Sequence, residues 1–156
     1  MPGESECLVK ILFVVDASPY TTRALSPGAK ICLETGAAVD VVGVVPALSA
    51  FMEDYEISPA RRDRHLLGIE NLAKKAVEAA KTFLAEKGVN IASTCTIQAG
   101  GSIGDAVVEY ALQEAVNLII LGTGTDKAVR AGLGGAVAQI ARESPCSVMV
   151  IKSSDL

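Results

Sequence analysis

The sequence contains few aromatic residues and almost no histidine. Aromatic residues make up 4% of its 156 residues, tryptophan is absent, and His65 is the single histidine. Because aromatics are scarce, Ala, Val, Ile and Leu must fill the interior, which suits parallel strands covered by helices. We interpret His65 as an exposed residue of a long helix, away from the glycine-rich segment. No Ser-His-Asp or Cys-His catalytic set is therefore predicted.

Closely spaced cysteines and long apolar runs are also missing. Cys7, Cys32, Cys95 and Cys146 stand far apart with no C-x-x-C pair, whereas metal sites and disulfide frameworks normally use close spacing. We therefore predict buried, reduced thiols. No apolar run approaches the roughly 20 residues that span a bilayer, and the polar start, 1–6, does not resemble a secretory signal. We expect a cytoplasmic protein with no membrane association.

Basic residues are scattered along the chain rather than concentrated in one stretch. The net charge is −4, from 14 Lys and Arg against 18 Asp and Glu. Nucleic-acid-binding proteins usually carry a basic patch or stripe. The sequence therefore predicts no nucleic-acid partner.

Aliphatic runs alternate with helical patterns, as in the βαβ units that build a parallel sheet. Five strands and four helices in strict alternation, with no internal repeat and no linker, predict a single α/β domain over residues 1–156. Right-handed crossovers should place helices on both faces of the sheet, which makes a three-layer sandwich. The predicted strands are 8–15, 38–45, 89–97, 118–121 and 147–151.

Capping residues and prolines mark the predicted helix ends. Ser18 is placed to cap the first helix, which should run to about Thr35 and stop at Gly36. Pro27 inside this helix removes a hydrogen bond and clashes with the preceding turn, so we expect a kink there or two short helices. Residues 47–57 are predicted to form a long loop. A long helix is predicted from Ser58 to Gly88, and a shorter one from Ser102 to about Glu114. A short last helix follows the glycine-rich segment and is stopped by Pro145.

One edge of the predicted sheet collects the features of a ligand site. Asp16 follows the first strand, Val44 lies near the end of the second, and a glycine-rich segment, 122–134, follows the fourth. In a doubly wound sheet, ligands bind at the carboxyl ends of the strands, where the strand order reverses. The sequence therefore predicts a ligand site at this edge.

The glycine-rich segment has features of a phosphate site. Gly122-Thr123-Gly124-Thr125 leaves an apolar strand, and Gly132-Leu133-Gly134-Gly135 opens a helix. Glycines allow close backbone approach, and amides at a helix N-terminus attract anions. Tight turning is an alternative reason for such glycines. The segment is neither a P-loop, since no G-K-[ST] follows, nor a dinucleotide fingerprint, since the first βα turn, 16–19, has no glycine.

Asp16 has two compatible interpretations. Its carboxylate could accept a hydrogen bond from a ribose hydroxyl or act as the partner of a metal-bound phosphate. It could also stabilise the turn by accepting hydrogen bonds from nearby backbone amides. The residue pattern leaves both open.

Taken together, these segments resemble the universal stress protein family. The resemblance rests on V-D-A-S at 15–18, the strand leading into G-T-G-T at 122–125, and the ending S-P-C-S-V-M-V-I-K at 144–152. It covers the chain from about Lys10 to Lys152. It implies a five-stranded parallel sheet of Rossmann-like type in the order 3-2-1-4-5, and usually a homodimer, here through the last strand. It also implies an adenine nucleotide as ligand, ATP or AMP, with Mg²⁺ when the ligand is ATP.

The ATP-binding subgroup of that family carries G-x-x-G, nine residues, then G followed by Ser or Thr. Anchored on Pro145, the pattern matches Gly124 and Gly134. Leu121 stands at the first glycine position and Gly135 at the Ser/Thr position, so the motif is broken twice. The residues that the resemblance implies at the nucleotide are Val15, Asp16, Val44, Leu121, Gly122, Gly124, Thr125, Gly134, Gly135 and Ala136.

Three functions remain open from the sequence. The favoured one is a regulatory module that binds an adenine nucleotide at the carboxyl edge of its sheet. The alternative is a dimerisation or adaptor module of the same family that binds no nucleotide, which the broken motif supports. Slow ATP hydrolysis with a metal and a positioned water is the third, and no feature of the sequence requires it.

Overall fold

Five aliphatic segments form the strands of one sheet, and four helices connect them. The computed structural model describes residues 9–47, 58–124 and 133–153, with the backbone alone at 133–135. Most of the predicted 47–57 loop lies outside the described residues. The elements are β1 (Lys10–Val15), α1 (Pro19–Thr35), β2 (Ala38–Val45), α2 (Pro59–Glu86), β3 (Asn90–Gln98), α3 (Ile103–Gln113), β4 (Leu118–Gly124), α4 (Leu133–Glu143) and β5 (Ser147–Ser153).

All strand pairs are parallel, in the order β3-β2-β1-β4-β5. The predicted fold class and strand order are therefore confirmed. β1 lies at the centre, with β2 and β4 as neighbours, and residues 11–15 are fully buried. Because such a strand is covered on both faces, its side chains are aliphatic or aromatic without alternation. In the described sheet, β3 and β5 are the edge strands.

Two apolar layers enclose the sheet. Ile11 and Phe13 of β1 belong to the layer that packs under α1 and α2. Leu12 and Val14 point the other way and pack against α3 and α4. Burial of each such side chain contributes about 1.5–3 kcal/mol. No helix in the described part of the chain is long and apolar enough to cross a bilayer.

α1 is one unbroken helix of 17 residues that contains Pro27. The expectation of two short helices there is wrong. Pro27 is exposed, so it lies on the solvent side of the helix. The next residue, Gly28, is buried against the ring of Phe13, where an added Cβ would lie 2.7 Å from Cζ. We infer that this close packing on the central strand holds the helix together despite the missing hydrogen bond.

Several predicted helix ends are observed. Ser58 Oγ accepts a hydrogen bond from the Arg61 amide at 3.3 Å, and Ser102 Oγ accepts one from the Asp105 amide at 3.0 Å. Gly36 caps α1 with a φ of 66°, a left-handed conformation that glycine adopts without a Cβ penalty.

β4 is longer than the sequence predicts. Its pairing with β5 continues through Gly122, Thr123 and Gly124, opposite Ile151, Lys152 and Ser153. The prediction that residues 122–124 form a loop is wrong, because the last strand supplies backbone partners for them.

Candidate functional site

A cavity of about 320 Å³ lies at the carboxyl edge of the sheet, between α2 and the start of α3. Its volume is at the lower end of the roughly 300–1,000 Å³ typical of small-molecule sites. It lies over the ends of β1 and β2, beside the point where the strand order reverses between β1 and β4. The described residues that line it are Val15, Asp16, Ala17, Val44, Pro46, His65, Ile69, Leu72, Ala73 and Ile103.

Three of the residues that the sequence singled out meet in this cavity. Val15 and Val44 end neighbouring strands and are 0% and 8% exposed. Asp16 follows Val15 directly at the start of the β1–α1 turn. Most other lining side chains are aliphatic, and among the described lining residues only Asp16 and His65 carry polar side-chain groups. The cavity therefore offers an apolar floor with a carboxylate on one side and an imidazole on another.

The carboxylate of Asp16 stabilises its own turn. Oδ1 accepts hydrogen bonds from the Ser18 amide at 2.9 Å and from the Thr21 hydroxyl at 2.8 Å. The Asp16 amide in turn donates to Thr21 Oγ1 at 3.0 Å. These bonds give the carboxylate a structural role in the turn, which agrees with one of its two sequence interpretations.

Ser18 occupies the N-cap position of α1 with an extended backbone, as predicted. Its side chain, however, makes no capping hydrogen bond. Asp16 takes over part of that role because its carboxylate accepts from the Ser18 amide. The expected capping by Ser18 itself is wrong.

Helix α2 approaches β2 closely enough to form one wall of the cavity. A Cβ on Gly43 would lie 2.8 Å from Val77 Cγ2 and 3.2 Å from the Ala73 carbonyl oxygen. The glycine therefore lets the helix backbone lie against the strand. This approach brings Ala73 to the end of β2, beside Val44.

Gly122 and Gly124 face α1. A Cβ on Gly122 would lie 2.5 Å from the Tyr20 carbonyl oxygen and 2.9 Å from Ala24 Cβ. A Cβ on Gly124 would lie 2.8 Å from the Tyr20 hydroxyl. Packing of α1 on β4 explains why both residues are glycine. The sequence interpretations considered phosphate binding and tight turning, but not this packing.

Among the described residues, Leu121, Gly122, Gly124 and Ala136 are predicted site residues that do not line the cavity. Leu121 and Ala136 are buried in the apolar layer under α3 and α4. Gly134 and Gly135 belong to the first turn of α4, and Thr125 lies outside the described residues.

Gln139 of α4 forms side-chain hydrogen bonds with the start of α3. Ser102 Oγ donates to Gln139 Oε1 at 3.1 Å, and Gln139 Nε2 donates to Asp105 Oδ1 at 2.6 Å. Gly104 leaves space for this side chain, because an added Cβ there would lie 2.5 Å from Gln139 Cδ. These contacts fix the position of α4, the helix that begins with the second glycine cluster.

Sequence reasoning missed His65 as a lining residue. Its side chain is exposed, as expected, but it contributes to the cavity wall. The available signal was helical spacing, since His65, Ile69, Leu72 and Ala73 recur at three- and four-residue steps on one side of α2.

A buried carboxylate in β2 was also missed. Asp40 is 1% exposed, and its Oδ2 accepts a hydrogen bond from the Tyr110 hydroxyl at 2.9 Å and lies 3.2 Å from Lys10 Nζ. Burial, together with the neighbouring Asp40 charge, raises the pKa of Tyr110. Burial likewise raises the pKa of the nearby Cys95 thiol. The cluster lies in the amino half of the sheet, away from the cavity, and the signal for it was an acidic residue inside an aliphatic run.

The described residues contain no group of three His, Cys, Asp or Glu side chains that could hold a metal ion.

Residues 9–152 match the family model described as the universal stress protein family. No curated protein matches the chain. Solved structures with the same fold include the universal stress protein UspA from Lactobacillus plantarum, at 22% identity and a TM-score of 0.70, with 92% of this chain and 97% of that chain covered.

Two further similar structures contain a nucleotide. A universal stress protein family protein from Arabidopsis thaliana with AMP bound has 15% identity and a TM-score of 0.65, with 92% of this chain and 91% of that chain covered. The universal stress protein from Archaeoglobus fulgidus in complex with dAMP has 18% identity and a TM-score of 0.64, with 93% and 98% covered.

Proposed function

The chain belongs to the universal stress protein family, and from this premise we propose that it binds an adenine nucleotide in the cavity at the carboxyl edge of its sheet. The observation that carries the proposal is the meeting of Val15, Asp16 and Val44 around one cavity of about 320 Å³. Sequence reasoning selected these three residues, which come from two different strand ends.

The chemistry of the lining suits a nucleoside. The faces of a purine are apolar and pack against aliphatic side chains such as Val15, Val44 and Ile69, which line the cavity. A ribose hydroxyl is a good hydrogen-bond donor to a carboxylate. Asp16, at the start of the β1–α1 turn, supplies a carboxylate to the cavity wall. The AMP and dAMP held by the Arabidopsis and Archaeoglobus proteins support the same ligand class here.

The number of phosphates is part of the proposal. Gly135 stands where the ATP-binding subgroup of the family has a hydroxyl residue, so one phosphate contact is missing. We therefore propose AMP as the better ligand, with ATP weaker and Mg²⁺ entering only together with ATP. The protein then acts as a cytoplasmic stress-response regulator whose signal is the bound nucleotide and not a chemical reaction.

The last strand supports a homodimer. β5 is an edge strand of the described sheet, and Val148, Met149, Val150 and Ile151 are only half-buried. An edge strand with unpaired backbone groups and partly exposed aliphatic side chains is suited to pairing with a second copy. This observation also favours the alternative function, a dimerisation module without a nucleotide. Light scattering at several protein concentrations tests the dimer, and a strict monomer contradicts it.

Two measurements test the nucleotide proposal. Purified protein is denatured gently, and released small molecules are analysed for adenine nucleotides. The ligand-free protein is then titrated calorimetrically with AMP, ADP and ATP. The proposal expects binding that is tightest for AMP, and the absence of both carry-over and binding rejects it in favour of the dimerisation module.

A further inference from the structure

We propose that Gln139 is a positioning residue for the phosphate of the bound nucleotide, because its side chain holds the start of α4 against the start of α3. The inference rests on the proposed function, in which the β4–α4 glycine segment receives the phosphate. Gln139 acts through the position of the first turn of α4, which contains Gly134 and Gly135, and not by touching the ligand.

α3 and α4 both begin at the carboxyl edge of the sheet and cover the same face. α3 follows β3 and α4 follows β4, and the two helices contribute Val107 and Ile140 to one apolar layer. Ile103, the first residue of α3, lines the cavity. Backbone amides at the start of a helix attract anions. Phosphate binding therefore depends on where the start of α4 lies relative to this part of α3.

The amide of Gln139 forms hydrogen bonds with both helices. Its Nε2 donates to Asp105 Oδ1 on α3 at 2.6 Å and to Glu143 Oε2 on α4 at 3.0 Å. Its Oε1 accepts from the hydroxyl of Ser102, the N-cap residue of α3, at 3.1 Å. A primary amide has two N–H donors, and Gln139 uses both. Because two carboxylates share one amide nitrogen, the side chain at this position must be a neutral donor.

These contacts lie close to the start of α4. Leu133 begins the helix, and Gln139 follows it after about 9 Å along the helix axis. The two helices approach each other closely here, since Gly104 in the first turn of α3 is buried and an added Cβ would lie 2.5 Å from Gln139 Cδ. Apolar packing tolerates some sliding, whereas hydrogen bonds weaken steeply when their geometry changes. Gln139 therefore sets where the first turn of α4 lies.

The test compares AMP with adenosine, because the two ligands differ only in the phosphate. Dissociation constants for both are measured by calorimetry on the full chain, for the wild type and Gln139→Leu. Leucine has a similar size but no hydrogen-bonding group. We expect Gln139→Leu to weaken AMP binding about fivefold, as for the loss of one hydrogen bond to the ligand. Adenosine binding should change less than about twofold.

Gln113 provides the matched control. Its Nε2 donates to Glu109 Oε1 at 3.2 Å, and both residues belong to α3. Gln113→Leu thus removes a glutamine–glutamate hydrogen bond within one helix, and it should bind both ligands as the wild type does. The phosphorus NMR signal of bound AMP is a second readout. It should shift in Gln139→Leu and stay at the wild-type position in Gln113→Leu.

An exchange of charge between the helices tests rescue. Gln139→Glu keeps the shape but puts a third carboxylate beside Asp105 and Glu143, so it should weaken AMP binding more than Gln139→Leu does. Asp105→Asn alone keeps an acceptor for Gln139 Nε2 and should match the wild type. In Gln139→Glu/Asp105→Asn, which has the wild-type net charge, the amide at position 105 can donate to the carboxylate at position 139. Most of the AMP affinity should therefore return.

The outcomes separate the two proposals. If the wild type binds neither ligand, the proposed function fails and the inference fails with it. If the wild type binds AMP and Gln139→Leu leaves the AMP affinity unchanged, or lowers the affinities for both ligands equally, the inference alone is overturned. A double variant that binds AMP no better than Gln139→Glu also overturns it, because recovery requires the hydrogen bond between the helices.

Discussion

Asp16 and Thr21 exchange hydrogen bonds across the β1–α1 turn: the Asp16 amide donates to Thr21 Oγ1 at 3.0 Å, and the Thr21 hydroxyl donates to Asp16 Oδ1 at 2.8 Å. Thr21 is only 4% exposed, so water competes little for these bonds. The pair fixes the carboxylate at the edge of the cavity before any ligand binds. Such preorganisation reduces the ordering that binding would otherwise require.

Replacing the Thr21 hydroxyl should therefore lower the free energy of unfolding. Thr21→Val has a similar shape but leaves the Asp16 amide without its acceptor, and we expect a loss of about 1–3 kcal/mol in the free energy of unfolding. Thr21→Ser keeps the hydroxyl and should lose no more than about 1 kcal/mol, the value of one methyl group. Urea unfolding measures both, and equal stabilities for the two variants would show that the hydrogen-bonded pair contributes nothing.

The glycines of β4 provide a second prediction. Gly122→Ala and Gly124→Ala should each destabilise the fold by about 1–3 kcal/mol through overpacking against α1. The two contacts differ in kind, because Gly122 meets the Tyr20 backbone whereas Gly124 meets the end of the Tyr20 side chain. Tyr20→Ala should therefore recover most of the loss caused by Gly124→Ala and little of that caused by Gly122→Ala.

A double-mutant cycle on unfolding free energies tests this difference. If Tyr20→Ala recovers both losses or neither, α1 does not pack on β4 as described. An interpretation of both glycines as ligand contacts alone would then regain support.

Burial of Cys32 predicts a pH dependence of stability. Burial raises the pKa of the Cys32 thiol from 9.0 to about 11. Above pH 9 the unfolded chain releases this proton while the folded chain retains it, so the unfolded state is favoured as pH rises. The contribution of Cys32 to stability should be complete below pH 9, fall between pH 9 and about 11, and amount to about 2–3 kcal/mol or less.

The variant Cys32→Ala isolates this effect. It should be less stable at neutral pH, because it leaves a small cavity in the core, but its unfolding free energy should fall less between pH 9 and 11. Tyr110, whose pKa is also raised by burial, and the other titrating groups are common to both proteins, so their contributions cancel in the comparison. Identical slopes for the wild type and Cys32→Ala would refute the assignment.

Much of the fold could be predicted because local patterns agree with the tertiary structure. The aliphatic runs give the strands, and Ser58 and Ser102 mark helix starts that depend on neighbouring residues only. The extension of β4 through Gly124 could not be predicted, since it depends on pairing with Ser153 in another strand. The continuity of α1 through Pro27 likewise depends on packing against β1.

The residues of the candidate site could likewise be predicted from the sequence only in part. The rule that ligands bind at the ends of parallel strands was enough to select Asp16 and Val44. It did not identify His65, which enters the cavity from a helix, although helical spacing relates it to Ile69. The role of Tyr20 in requiring glycine at Gly122 was hidden as well, because it arises from contact between elements distant in the sequence.

The central claim, that an adenine nucleotide occupies the cavity at the end of β1 and β2, is tested most directly by filling that cavity. Ala17 is exposed and lines it, whereas Ala79 is exposed and lines the neighbouring groove between α1 and α2. Ala17→Trp and the control Ala79→Trp add the same side chain at sites where folding should tolerate it. In calorimetric titrations with AMP, we expect Ala17→Trp to bind about tenfold more weakly or worse, and Ala79→Trp to bind as the wild type does. Equal AMP affinity in all three proteins, or no binding by the wild type, would contradict the claim.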